Sequence, residues 1–140
     1  MLAVHIYHNA TNQFTPYEDG DPLVLVFSLR MPLRGGQDVR AVAEQVFALC
    51  NVDLDDLDAG RDSVDGETAF LAACVYRLLG CRSLSVGDVL HLEHEFDSHW
   101  LACDRTGWRP ISEPARSSCG GQATTAATVY QHLASRSAPA

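Results

Sequence analysis

The segment Arg82-Ser83-Leu84-Ser85-Val86-Gly87-Asp88-Val89-Leu90, followed after a short gap by Trp100-Leu101-Ala102-Cys103-Asp104-Arg105-Thr106-Gly107-Trp108, constrains this chain more than any other stretch. It reads as one piece of β-structure: a Gly-Asp turn, a strand, a short loop, a returning strand and a Gly-Trp exit. Gly87 tolerates a positive φ, and the Asp88 carboxylate can accept backbone N–H groups within the turn. Val86 and Val89 are expected to project into the core on either side of that turn. Ser83 and Ser85 can tie down the approach to the strand. Each residue of the block has a structural task, and none of these tasks is catalytic.

The flanking sequence completes a single α+β domain. Leu2, Val4 and Ile6 alternate with Ala3, His5 and Tyr7, the period of a half-buried strand. Residues 9–22 form a loop rich in Asn, Thr, Pro, Gly and Asp. The continuous apolar run from Leu23 to Leu29 predicts a central strand buried on both faces. Asp38 is an N-cap for a helix to about Cys50, with Val39, Val42, Val46, Phe47, Leu49 and Cys50 on one stripe. A polar, acidic linker from Asn51 to Gly66 precedes a second helix, Glu67 to Leu79, stopped by Gly80. Strands are expected near 86–94, 99–104 and 108–111. The expected architecture is a small antiparallel sheet or partial barrel packed against two helices over residues 1–116. Residues 117–140 are expected to be a flexible tail, weakly helical between Thr124 and Arg136.

Composition excludes several functions. A chain of 140 residues, 46% hydrophobic and 20% charged, can bury a core without metal or disulfide staples. All ten basic residues are arginine, which removes Schiff-base, general-base and P-loop lysines. The net charge of −8 argues against broad phosphate-backbone binding, so nucleic acid is a disfavoured partner. No apolar run is long enough to span a membrane, and the N-terminus shows no secretory signal pattern. The five cysteines include no CxxC pair. Reduced thiols in a cytoplasm are the simplest expectation.

Three constellations could carry chemistry. The acidic linker offers Asp56, Asp58, Asp62 and Glu67 at calcium-loop spacing, but Arg61 stands where such a loop needs its glycine. A solvated acidic loop is the favoured reading. His91, His94 and His99 lie close together, yet positions 91 and 94 of a strand face opposite ways. A hairpin with a four-residue loop, Glu95 to Ser98, would set His94 opposite His99 on the face of Leu90, Leu92, Leu101 and Cys103. A polar rim there outweighs a metal pair, so no metal is assigned and His94 with His99 remain a weak alternative. Trp100 and Trp108 with Arg105 and Arg109 could form a stacking surface for a base or a peptide. Core packing for one Trp and edge protection for the other competes with that reading. No nucleophile elbow, oxyanion-hole signature or Gly-rich phosphate loop is present, and no cofactor is implied.

The Ser83–Val89 run, with Asp104 and Gly107-Trp108, resembles the YodL-like domain of bacterial, plasmid and phage-related proteins, whose pattern is similar to "hSLSVsDVv…yYvDsxGF/W". The helix bearing Val42, Val46, Phe47 and Asn51 is similar to the helix that precedes this block in such proteins. The resemblance covers roughly residues 38–111. It departs at Cys103, where Val is usual, at Ala102, where Tyr is usual, and in the acidic Glu93–Ser98 loop. The first 35 residues have no counterpart in it. The resemblance implies an α+β fold and an accessory role on mobile elements, with no catalytic residues to transfer.

Two functions of different class follow as expectations. The first is a non-enzymatic protein-interaction module of a phage, plasmid or other mobile element, acting as an inhibitor of a host defence or DNA-processing protein. It would bind its partner through Trp100, Arg105, Trp108 and Arg109 or through the acidic linker. The second is a small metal-dependent enzyme built on the histidine-containing hairpin. Direct nucleic-acid binding through Arg77, Arg82, Arg105 and Arg109 ranks last. Oligomeric state is left open.

Overall fold

A mixed six-stranded sheet, curled into a half-barrel, buries one face against helices in a computed structural model of the chain, which has three helices. The structure describes residues 2–11, 14–32 and 38–119. The expected α+β partial barrel is therefore the observed fold, with one more helix and one more strand than anticipated. The strands are β1 (Leu2–Asn9), β2 (Leu23–Met31), β3 (Val89–His94), β4 (Asp97–Cys103), β5 (Trp108–Ile111) and β6 (Ser117–Cys119). They lie in the order β5-β4-β3-β1-β2-β6, antiparallel except for the β2–β6 pair.

Alternation fixes the faces. Leu2, Val4 and Ile6 of β1, Leu90 and Leu92 of β3, and Leu101 and Cys103 of β4 all enter the main core. Trp108, opposite Cys103, joins them. A second, smaller cluster on the other face joins Tyr17, Leu23, Val89 and Ala102 with Tyr7, Trp100 and Ile111. It contains no helical residue. The loop bearing Tyr17 covers that end of the outer face instead.

The run Leu23–Leu29 is not a central strand: β2 lies next to the short parallel strand β6, while β3 and β1 occupy the middle. Its apolar continuity has another cause. A bulge in β2 at Val26, opposite the Ile6–Tyr7 step of β1, shifts the register, so that Ile6 meets Phe27 while Tyr7 meets Leu25. Leu23 consequently serves the outer cluster, whereas Phe27, Leu29 and Met31 serve the inner one. One strand supplies both faces in turn.

The helices follow their signals. α1 (Val39–Asn51) is capped by Asp38, whose carboxylate accepts from the Ala41 N–H at 2.9 Å, and buries Val42, Ala43, Val46, Leu49 and Cys50. Within the linker, Asp53 caps the short α2 (Leu54–Ala59). α3 (Gly66–Leu78) buries Ala72, Ala73, Val75 and Tyr76, and Gly80 follows it with φ +73° as expected. Arg77 of α3 donates to the Leu49 and Val52 carbonyls, satisfying acceptors that the end of α1 leaves open. Asn51 exchanges two hydrogen bonds with the Leu84 backbone, pinning the end of α1 to the approach of β3. Two of the would-be calcium ligands, Asp58 and Glu67, are bridged by Arg61.

The β3–β4 hairpin differs from expectation. Its turn is two residues long, Glu95-Phe96, with Asp97 and Ser98 already in β4. His94 lies opposite Asp97, and His99 opposite Leu92, so the two histidines are not a facing pair. The register moves by two residues, which leaves every side chain on its anticipated face. No Asn-Gly or Asp-Gly pair announces this turn. Of the segment expected to be a tail, Ser117–Cys119 form β6, and the expected helix at 124–136 lies outside the described residues. Among the described residues no helix is long and apolar enough to cross a membrane.

Candidate functional site

The Gly-Asp block closes one end of the sheet. Asp88 is fully buried. Its Oδ1 accepts from the Asn9 N–H at 2.9 Å and from Arg82 at 2.7 Å; its Oδ2 accepts from Arg82 at 2.7 Å and the Ser85 N–H at 2.8 Å. The bidentate pair compensates the buried carboxylate and raises the Arg82 pKa. Gly87, at φ +98°, lets the turn close so that its N–H reaches the Cys103 carbonyl. Val89 is buried in the outer cluster, whereas Val86 is only half-buried and borders a shallow hollow with Phe14.

Beside this network stands Tyr76, packed edge-on against Phe27, with its hydroxyl donating to the Arg82 carbonyl. That hydrogen is thereby committed, so His8 Nε2 must donate to the Tyr76 oxygen at 2.9 Å. Burial, with a smaller effect from Arg82, lowers the His8 pKa to about 4 against the pull of Asp88. The imidazole is neutral at pH 7. Burial likewise pushes the Cys50 thiol up to about 12 and Cys103 to about 11, which makes both poor nucleophiles. The Asp88 network at the closed end is a scaffold whose polar groups are occupied by one another, although the buried Asp104 Oδ1 beside it has no hydrogen-bond partner.

The open half of the outer face is different in kind. His5 of β1 lies opposite His91 of β3, and His91 lies opposite Trp100 of β4. The His91 ring stacks flat on Trp100, with centroids 3.9 Å apart and planes 4° from parallel, and Tyr7 leans on the same indole. His5 Nε2 sits 3.0 Å from Glu93 Oε2, and its Nδ1 sits 2.8 Å from Ser28 Oγ. His91 Nε2 meets Ser98 Oγ at 2.6 Å and lies 3.7 Å from Glu93 Oε1. Burial lowers the His91 pKa, opposed by Glu93 and Glu113 and assisted by His5. His5, His91 and Glu93 are the group among the described residues whose ligand atoms converge, all within 4.8 Å of one another.

The residues singled out in the sequence disperse. Trp108 is inside, edge-on to Phe47 of α1. Trp100 and Arg109 belong to the outer face; Arg109 donates to Asp104 and to the Tyr17 carbonyl. Arg105 is exposed on the β4–β5 turn. Arg77 donates to backbone carbonyls and Arg82 to Asp88, so two of the four arginines considered for nucleic acid are engaged within the fold. His94 and His99 share a face with the core leucines but converge with no third ligand. Sequence reasoning missed His5, Glu93 and Ser28. The available signal was outward phase: His5 alternates with core residues of β1, and His91-x-Glu93 repeats at strand period. A groove of about 530 Å³ between β2, α1 and α3, lined by Leu29, Met31, Ala48, Leu57, Val64 and Ala69, has no histidine, cysteine or glutamate on its described walls.

No family model, curated protein or solved structure matches the chain.

Proposed function

We propose that the protein is a non-enzymatic interaction module that holds a protein partner on the open outer face around Trp100. The observation that carries this reading is the preformed Tyr7–Trp100–His91 stack on a half-face that no described helix covers. Locked aromatic rings offer contact area at little entropic cost, which is why Trp and Tyr dominate binding hot spots. Glu93 and Glu113 lie near the stack, and the chain carries net charge −8. A basic partner surface is the matching chemistry. Together with the resemblance of the Ser83–Val89 block, this favours an element-borne inhibitor of a DNA-processing or host-defence protein.

The test is affinity capture from the lysate of the expressing cell with wild type, Trp100→Ala and Arg105→Ala. The expected result is a retained protein that weakens with salt and is lost on Trp100→Ala, a hot-spot effect of about 2 kcal/mol or more. Arg105→Ala, at the turn, is expected to weaken retention less. Unchanged retention by Trp100→Ala, or no retained protein, overturns the reading. Trp108→Ala is unsuitable, because it empties part of the core.

A further inference from the structure

We infer that His5, His91 and Glu93 form a binding site for a divalent transition-metal ion, zinc being the natural probe, with one coordination position open to solvent. The proposal shares the His91–Trp100 stack with the partner reading but stands on the register of the sheet. β1 and β3 place His5 directly opposite His91, and Glu93 follows two residues later on the same face. His5 Nε2 lies 3.0 Å from Glu93 Oε2, and His91 Nε2 lies 3.7 Å from Oε1 while hydrogen-bonded to Ser98 Oγ at 2.6 Å. With metal–ligand bonds of about 2.0–2.1 Å, ligand atoms of a tetrahedral ion stand roughly 3.3 Å apart. The two observed distances end on different carboxylate oxygens, and one ligand atom from each of the three residues lies within 4.8 Å of the others. The side chains must therefore rotate inward, and His91 must release Ser98, to close on an ion.

The supporting contacts fit the same chemistry. Ser28 lies opposite His5 on β2 and meets its Nδ1 at 2.8 Å. Without metal, the Glu93 carboxylate can only accept, so Nε2 carries the hydrogen and Ser28 donates to Nδ1. On metal binding the tautomer exchanges: the Nε2 hydrogen is lost, Nδ1–H donates to Ser28 Oγ, and the Nε2 lone pair and carboxylate turn to the ion. A hydroxyl can serve in either direction, so the second contact survives the change. The Trp100 stack fixes the plane of the His91 ring. Two imidazoles with one carboxylate suit zinc or a neighbouring transition metal, and are a poor set for calcium or magnesium, which require mostly oxygen ligands. The His5 and His91 side chains are 24% and 12% exposed and Glu93 51%, so the ion would lie at the surface and keep an exchangeable position.

The experiment uses the full chain, stripped with chelator and dialysed at pH 7.5 with reductant. Zinc is titrated calorimetrically, cobalt spectroscopically, and histidine ring nitrogens are followed by NMR. The expected result is one ion per chain, movement of the His5 and His91 Nε2 resonances, and a cobalt spectrum without thiolate charge transfer. Affinity should fall at least tenfold in His5→Gln, His91→Gln and Glu93→Gln, and remain unchanged in His94→Ala and His99→Ala. Glu93→Gln alters a half-exposed surface residue, so its folding is secure even if a histidine variant is damaged. Absence of stoichiometric binding, equal affinity in Glu93→Gln, or a thiolate band that follows the cysteines each overturns the assignment.

Discussion

β3 begins and ends in opposite environments. At its start Asp88 is sealed from solvent and every lone pair of its carboxylate is matched by a donor. At its end Phe96 is 98% exposed, and the preceding Glu93 and His91 meet His5 on a face that no described helix covers. The polar groups at the first end are used up in holding strands together. Those at the second are partnered as well, but the half-exposed Glu93 among them stays accessible to a third party. Polarity alone therefore does not mark a functional site; accessible polarity does.

The largest expected effect lies at the sealed end. Asp88→Ala leaves the Arg82 guanidinium without its bidentate partner and two backbone N–H groups, of Asn9 and Ser85, without acceptors. Breaking such a buried pair costs about 3–5 kcal/mol, a large part of the stability of a domain this size. Glu93→Gln at the other end should cost under about 1 kcal/mol, as exposed pairs do. Urea midpoints of the two variants measure the contrast directly. Equal losses would erase the distinction between the two ends.

A second, smaller effect concerns pH. His8 has a folded pKa of about 4, against an ordinary value of 6.5. The unfolded chain therefore binds the extra proton between those values, and the neutral imidazole contributes stability that is full above pH 6.5. That contribution is lost as pH falls toward 4. Between pH 7.5 and 5, wild type should lose about 1–2 kcal/mol more than His8→Gln, after discounting for partial solvent screening. The readout is the difference in urea midpoint shift between the two proteins. A wild-type slope matched by the variant would show that His8 takes up its proton in the folded state as readily as in the unfolded one.

How much of this was legible in the sequence follows from the range of each interaction. Local signals were readable: the Asp38 cap, the stop at Gly80, the Gly87-Asp88 turn and the alternation of Leu2, Val4 and Ile6. The inner face was readable too, because a register slip of two residues conserves facing. Leu90, Leu92, Leu101 and Cys103 were grouped correctly around a hairpin whose pairing was misjudged. The His5–Glu93 contact spans 88 residues and depends on β1 choosing β3 as its neighbour, which no local pattern encodes. The bulge in β2 hid in the same way: a run that changes faces midway reads like one buried on both. β6, three residues long, owes its strand character to β2 and to nothing in Ser117–Cys119 themselves.

The hairpin tip tests the open end at the smallest scale. Glu95 holds φ +38°, in the left-handed region that an L side chain enters only at a cost. A tip selected for stability would carry Gly or Asn there. Glu95→Gly should therefore stabilise the protein by about 0.5–1 kcal/mol once the greater chain entropy of glycine is counted. In a chain of this length that corresponds to a melting temperature raised by roughly 2–4 °C. The measurement is a thermal melt of the variant beside wild type. A rise would mean that the sequence tolerates strain beside a fully exposed Phe96, as expected where surface chemistry outranks stability. A fall would mean that the Glu95 side chain itself braces the turn, and the open end would then be less idle structurally than its contrast with Asp88 implies.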